Sequence, residues 1–286
     1  MAKALSRIWP GGSTQTVGRF GITLIQDGDL SMHNQFIVTP FFLDEPSSEL
    51  ESLARADWLI NKPALPDEDT QCRMSALHQP IADFVANTIA RGERPVSIAG
   101  DCCTTIGVLA GLQRAGLNPV LVWLDAHGDF NTWEITPSGF LGGMPLAMLV
   151  GRGEQTMTKM VGLHPIPEAQ VILTDGRDLD PGEKQALAKS GVHHIVDSRF
   201  LLNHPLVVNP LYLHFDADFV NPNDAPAMSY RAQGGPSSAE LQTIFHSLAQ
   251  TGRVVALSMA TWNPKLDADG RSQAVCMELL HCLIDQ

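Results

Sequence analysis

Short apolar, β-rich runs recur along the chain, at Gly21 to Gln26, Val96 to Ala99, Val120 to Asp125, Val171 to Thr174, His193 to Val196, Leu211 to Asp216 and Val254 to Ser258. Each is followed by a turn or a helix-like stretch, an alternation that predicts an α/β fold with a mainly parallel sheet. Apolar residues at helical spacing fall in Ala76 to Arg91 and Thr104 to Arg114, and helix-start signals open Gly182 to Ser190 and Ser237 to Gln250. Helices on both faces of the sheet make three layers, α/β/α. Gln26 to Asp69, rich in Pro, Asp and Asn, reads as irregular. Without a repeat, a low-complexity tract or a Pro/Ser-rich linker, residues 1–286 are expected to form a single domain.

The charge balance narrows the function classes. With 19 basic and 31 acidic residues the net charge is −12, which argues against a chain that gains affinity from phosphates or anionic headgroups. No nucleic-acid or membrane partner is expected. The apolar runs fall well short of the roughly 18 residues a spanning helix needs, and Pro10-Gly11-Gly12 arrives before any secretory apolar region develops. The cytoplasm is the expected location. Cys72, Cys102, Cys103, Cys276 and Cys282 show no paired CxxC spacing, so most are expected to be buried, reduced thiols.

In open parallel sheets, chemistry gathers beyond the carboxyl ends of the strands. Three of the runs deliver potential metal ligands there: Gly100-Asp101-Cys102-Cys103, Asp125-Ala126-His127-Gly128-Asp129 and Asp216-Ala217-Asp218. Residues two apart at a strand end point to one side, so Asp125, His127 and Asp129 can converge, as can Asp216 and Asp218. Four carboxylates that close would have to protonate or find cations, and two divalent ions meet that need. A single aspartate at a strand end is as readily a turn cap, but the D-x-H-x-D and D-x-D segments together favour a dinuclear metal site.

These strand ends, in this order, resemble the arginase/agmatinase/formiminoglutamase family of ureohydrolases, whose G-G-D-H, D-A-H-x-D and S-F-D-x-D motifs appear as Ala99 to Cys102, Asp125 to Asp129 and His214 to Asp218. The likeness runs from about Pro95 to Pro264 and implies an arginase-like fold. It implies one metal held by Cys102, Asp125, Asp129 and Asp216, and a second by Asp125, His127, Asp216 and Asp218, so that Asp125 and Asp216 bridge. The ligand set favours two Mn²⁺, with Zn²⁺ or another divalent ion as an alternative. Asp129 would also be the catalytic residue that orients the attacking water. Asn131, Thr136 and Ser138 would hold the amino-acid end of a guanidino substrate, and Asp180 and Glu183 its α-amino group. Asp180-Pro181-Gly182-Glu183 is equally a good helix cap.

Three positions depart from the family pattern. Cys102 replaces a histidine ligand, giving a formal ligand charge of −5 from four Asp and one Cys against +4 from two cations. Gly142 stands where arginases and agmatinases have the histidine that shuttles protons to the leaving amine, help commonly worth roughly 10² to 10⁴ in rate. Thr261 stands where a glutamate usually grips the guanidinium. Cysteine ligation with loss of the shuttle resembles the Nω-hydroxy-arginine hydrolase branch, whose substrate is less basic than arginine. The expected activity is therefore metal-dependent hydrolysis of an amidino C–N bond, releasing urea or hydroxyurea from an arginine-like or Nω-hydroxy-arginine-like compound. A metallophosphoesterase would need a downstream G-N-H-[DE] that the chain lacks, and a single-zinc deacetylase would not need Asp129 and Cys102. The competing class is a non-catalytic relative that keeps the fold as a binding or regulatory module. Either a monomer or a homo-oligomer is compatible with the sequence.

Overall fold

The computed structural model describes residues 32–284, so the run at Gly21 to Gln26 lies outside the described residues. Eight strands form the main sheet: β1 Asn34–Thr39, β2 Leu59–Ile60, β3 Arg94–Ala99, β4 Val120–Asp125, β5 Val171–Asp175, β6 His193–His194, β7 Leu211–Asp216 and β8 Val254–Ala260. Their spatial order is β2-β1-β3-β8-β7-β4-β5-β6, and every pairing is parallel. The helices are α1 Thr70–Ala90, α2 Thr105–Arg114, α3 Pro145–Leu149, α4 Thr156–Met160, α5 Pro181–Ala188, α6 Ser238–Gln250 and α7 Arg271–Ile284.

The sheet is buried on both faces, which is why its central strands read as unbroken apolar runs. Along β4, Val120, Val122 and Leu124 enter one core with Leu241, Phe245 and Leu248 of α6 and Leu279 and Leu283 of α7. Leu121 and Trp123 enter the opposite core with Ile81 and Val85 of α1 and Ile106 and Leu109 of α2. Fully burying each such side chain contributes about 1.5–3 kcal/mol before the entropy of ordering it is counted. The three-layer expectation holds.

Local signals set the helix ends. Asp69 accepts from Cys72 N at 2.9 Å and starts α1 at Thr70, six residues before the apolar spacing becomes regular. Ser237 and Glu240 close a capping box at α6, with Ser237 N donating to Glu240 Oε2 at 2.9 Å and Glu240 N donating to Ser237 Oγ at 3.3 Å. Two expectations need correction. Gln26 to Asp69 is not wholly irregular, since it carries β1 and β2. The first three residues of β1 are only half-buried and β2 is a two-residue exposed edge, so neither shows a strand-like apolar pattern. β6 stops at His194 rather than Val196, which is 69 % exposed. No described helix is long and apolar enough to cross a membrane.

The topology places the site. The helices that follow β3 and β4, α2 and α3, pack in one core, whereas those that follow β7 and β8, α6 and α7, pack in the other. Connections therefore leave opposite faces of the sheet at the β3/β8 and β7/β4 boundaries. Such switch points open a crevice beyond the carboxyl ends of the strands.

Candidate metal centre

Beyond β3 the chain turns at Gly100, whose N donates to Phe41 O at 3.0 Å. A Cβ at this position would lie 2.2 Å from the same carbonyl oxygen, so the close approach requires glycine. Asp101 then accepts from Leu43 N at 2.8 Å and Cys103 N at 2.9 Å, fixing the short turn that carries Cys102. Cys102 is buried, with Sγ 3.0 Å from Asp216 Oδ2.

The last residue of β4, Asp125, is fully buried and held at both oxygens. Trp123 Nε1 donates to Oδ2 at 2.8 Å and His127 N donates to Oδ1 at 2.7 Å. His127 Nδ1 lies 3.0 Å from Asp218 Oδ2 and 3.5 Å from Asp125 Oδ1. Asp129 has φ +49°, in the left-handed region that non-glycine residues rarely occupy. Strand alternation predicts one convergence of Asp125, His127 and Asp129, but the chain has left the sheet after Asp125 and the turn sends Asp129 towards Cys102 and His127 towards Asp218, with Asp125 shared.

Asp218 N donates to Asp216 Oδ1 at 2.8 Å beyond β7, and Ala126 N donates to Asp218 Oδ1 at 3.4 Å. Arg177 braces this segment from beneath: its guanidinium donates to Asp218 O at 2.9 Å and Phe219 O at 3.2 Å and pairs with Asp175 at 3.1 Å. Beyond β8, Thr261 adopts φ +69°, an outlying conformation for a β-branched residue, and its hydroxyl donates to Asp216 Oδ1. Thr261 thus lines the cavity while its hydroxyl is engaged by Asp216.

Two groups of ligand atoms result, Cys102 with Asp125 and Asp129, and Asp125 with His127 and Asp218, each confined within 4.8 Å. Asp125 belongs to both, and Asp216 joins them through Cys102 and Asp218. Burial, reinforced by neighbouring carboxylates, pushes Cys102, Asp129 and Asp216 far above their ordinary pKa values. Burial and then Asp125 push Asp218 up to about 6. Burial works against ionisation at Asp125 and His127 too, but His127 beside Asp125 outweighs it and lowers Asp125, while Asp125 and Asp218 together raise His127. The centre is a crowd of acids that must retain protons or accept cations. A donor set of buried carboxylates, one thiol and one imidazole around a shared aspartate fits two divalent ions.

Cys102, His127, Asp129, Asp216 and Asp218 face a cavity of roughly 190 Å³. Asn131, Ser138, Asp180 and Glu183 line the same cavity, whereas Thr136 does not and accepts from Gly139 N at 3.1 Å. Asn131 Nδ2 donates to Asp180 Oδ2 at 2.9 Å. Glu183 serves as a cap, accepting from Asp180 N at 3.1 Å, and its other oxygen accepts from Phe130 N at 2.8 Å. Burial pushes Glu183 up to about 7. Residue-by-residue reading missed Phe42, Phe140, Tyr230 and Asp178, which also line the cavity. The one local signal was Phe140 two residues before the unexpected Gly142.

Comparison with known proteins matches the model of the arginase family over residues 48–285. The arginase of Bacillus subtilis is 30% identical over 232 residues, 76% of this chain and 78% of that protein. The arginase of Brucella melitensis is 31% identical over 209 residues, 66% of this chain and 67% of that protein. Among solved structures, Bacillus subtilis arginase superposes with a TM-score of 0.75 at 26% identity, covering 89% of this chain and 99% of that one. Entamoeba histolytica arginase, solved with L-ornithine, shares the fold with a TM-score of 0.78 at 20% identity, covering 90% of this chain and 100% of that one. The chain belongs to the arginase family.

Proposed function

We propose that this chain is a dinuclear-metal-dependent amidinohydrolase, releasing urea or hydroxyurea from an arginine-like or Nω-hydroxy-arginine-like compound. The observation that carries the reading is the pair of ligand clusters sharing Asp125 at the floor of one cavity. Cys102, Asp125, Asp129 and Asp216 would hold one ion, and Asp125, His127, Asp216 and Asp218 the other. Mn²⁺ suits the carboxylate majority, with Zn²⁺ competing for the thiolate. When bound, two such ions supply the positive charge that makes water nucleophilic near neutral pH.

The protein's own groups do the rest. Asp129, buried beside Cys102 and Asp125, accepts a hydrogen bond from the attacking water and orients it. Water adds to the amidino carbon, the C–N bond to the substrate's carbon chain breaks, and the amine departs with a proton. Asp180, Glu183, Asn131 and Ser138 line the cavity where the amino-acid end would lie. Thr136 acts through the loop it shapes.

The departures support a weakly basic substrate. Position 142 has no titratable side chain to protonate a leaving amine, and the Thr261 hydroxyl is directed to Asp216 rather than to a guanidinium. On Mn²⁺-loaded protein, Nω-hydroxy-arginine is expected to give a higher kcat/KM than arginine. Arginine ahead would overturn the preference, and no release from either would favour a binding or regulatory role.

A further inference from the structure

The two groups of ligand atoms are chemically unequal. One joins the Cys102 sulfur to Asp125 and Asp129, and Asp216 Oδ2 lies 3.0 Å from that sulfur, so a thiol and three carboxylates surround one position. All four residues are buried. The other group joins Asp125 and Asp218 to the imidazole of His127, whose side chain is 27% exposed. The sulfur-containing group is the drier of the two.

The chain delivers this sulfur on a turn fixed at both ends. Before it, Asp101 accepts from Leu43 N and Cys103 N, and after it Thr105 Oγ1 donates to Cys102 O at 2.7 Å. The neighbouring thiol takes no part. Cys103 Sγ lies 3.9 Å from Leu141 O, and Cys103 does not line the cavity. Among the described residues, Cys102 therefore brings the one sulfur that the cavity contains.

We propose that the centre is built to hold two different ions, Zn²⁺ at the Cys102 position and Mn²⁺ at the His127 position. This rests on the dinuclear reading of the centre. Nitrogen, oxygen and sulfur sites alike bind Zn²⁺ more tightly than Mn²⁺, so the two positions differ in how large that preference is. A thiolate enlarges it. Cys102 with Asp125, Asp129 and Asp216 also completes a tetrahedral set from protein ligands alone, which suits Zn²⁺, and the thiol proton passes to solvent as the sulfur binds. Around His127, carboxylates, one imidazole and water from the cavity suit the octahedral, oxygen-rich preference of Mn²⁺.

The test reads metal content and spectra rather than turnover. Full-length protein saturated with Mn²⁺ is titrated with Zn²⁺ and freed of unbound ions. The first equivalent is expected to displace about one Mn²⁺ per chain, and loss of the second to require at least about tenfold more Zn²⁺. Electron paramagnetic resonance should then change from the spectrum of a coupled pair to that of an isolated Mn²⁺. Co²⁺ used in place of Zn²⁺ locates the exchange, because its first equivalent should show thiolate-to-cobalt charge-transfer absorption. Cys102→His keeps a ligand but removes the sulfur, so the absorption should vanish and both Mn²⁺ should exchange over one range of Zn²⁺. Cys102→Ser, closer in size, should behave in the same way. Two Mn²⁺ leaving together in the parent, a first equivalent of Co²⁺ without the absorption, or stepwise exchange kept in both variants would overturn the proposal and leave the dinuclear centre standing. A parent protein that holds a single ion at saturation would overturn both.

Discussion

The floor of the cavity is built from strand ends and its mouth from loops, and the two are held by different forces. At the floor the acidic side chains are buried, and Asp125, Asp216 and Asp218 are tied to main-chain N–H groups or neighbouring side chains, as at Asp125, whose two oxygens receive Trp123 and His127. At the mouth Phe140 and Tyr230 meet through ring contacts, and Tyr230 is half-exposed. The hydroxyls of Thr136 and Ser138 bond within their own loop. A floor so constrained keeps one chemistry, while a mouth built on loops can change what it admits without disturbing that chemistry.

The largest effect should come from the floor. Asp129→Ala is expected to lower kcat by roughly 10³-fold or more, because it removes both a ligand and the acceptor that orients water. Steady-state kinetics with metal content measured on the same sample checks this. Near-native turnover with metal retained would remove the role given to Asp129.

Thr261 separates support of the floor from stability of the fold. Its backbone conformation costs about 1–3 kcal/mol for a side-chain-bearing residue, which a glycine would relieve. Thr261→Gly should therefore raise metal-free stability by about 1 kcal/mol while weakening Mn²⁺ affinity roughly 10- to 100-fold, the usual cost of losing a group that orients a ligand. Thr261→Ser should keep the affinity. Urea unfolding and metal titration read the two effects separately, and a glycine variant that binds Mn²⁺ as well as the parent would show that Asp216 needs no support.

A smaller effect distinguishes the metal-free from the loaded floor. Burial raises Asp218 from 3.8 to about 6 and Glu183 from 4.5 to about 7. A carboxyl whose folded pKa exceeds its unfolded value contributes stability that is complete below the unfolded value and is lost as pH rises through the folded one. The metal-free protein should thus lose stability between about pH 4 and pH 7, and Mn²⁺, which takes the place of protons on the ligands, should raise Tm more at about pH 7.5 than at about pH 5. Equal Tm gains at both values would contradict this.

The contrast also explains what the sequence revealed. Asp125 and Asp216 are legible because each ends an apolar run buried on both faces, and a strand that ends in acid points to a site. Glu183 is ambiguous in sequence for a physical reason, since the same carboxylate caps α5 and lines the cavity. The aromatic wall was not legible: Phe140 and Tyr230 lie 90 residues apart, and their contact leaves no local pattern. Neither was the conformation of Thr261, because a β-branched residue is a poor predictor of positive φ. Strands β1 and β2 escaped because the first half of β1 is largely polar and only half-buried and β2 is an exposed two-residue edge, so neither carries a clear apolar signal.

Metal analysis of the full-length protein, equilibrated with Mn²⁺ and freed of unbound ion, tests the shared-aspartate centre most directly. Two ions per chain are expected, falling to one or none in Asp125→Ala because that residue belongs to both clusters. A saturated parent protein holding one ion or none would contradict the dinuclear centre and the hydrolysis built on it.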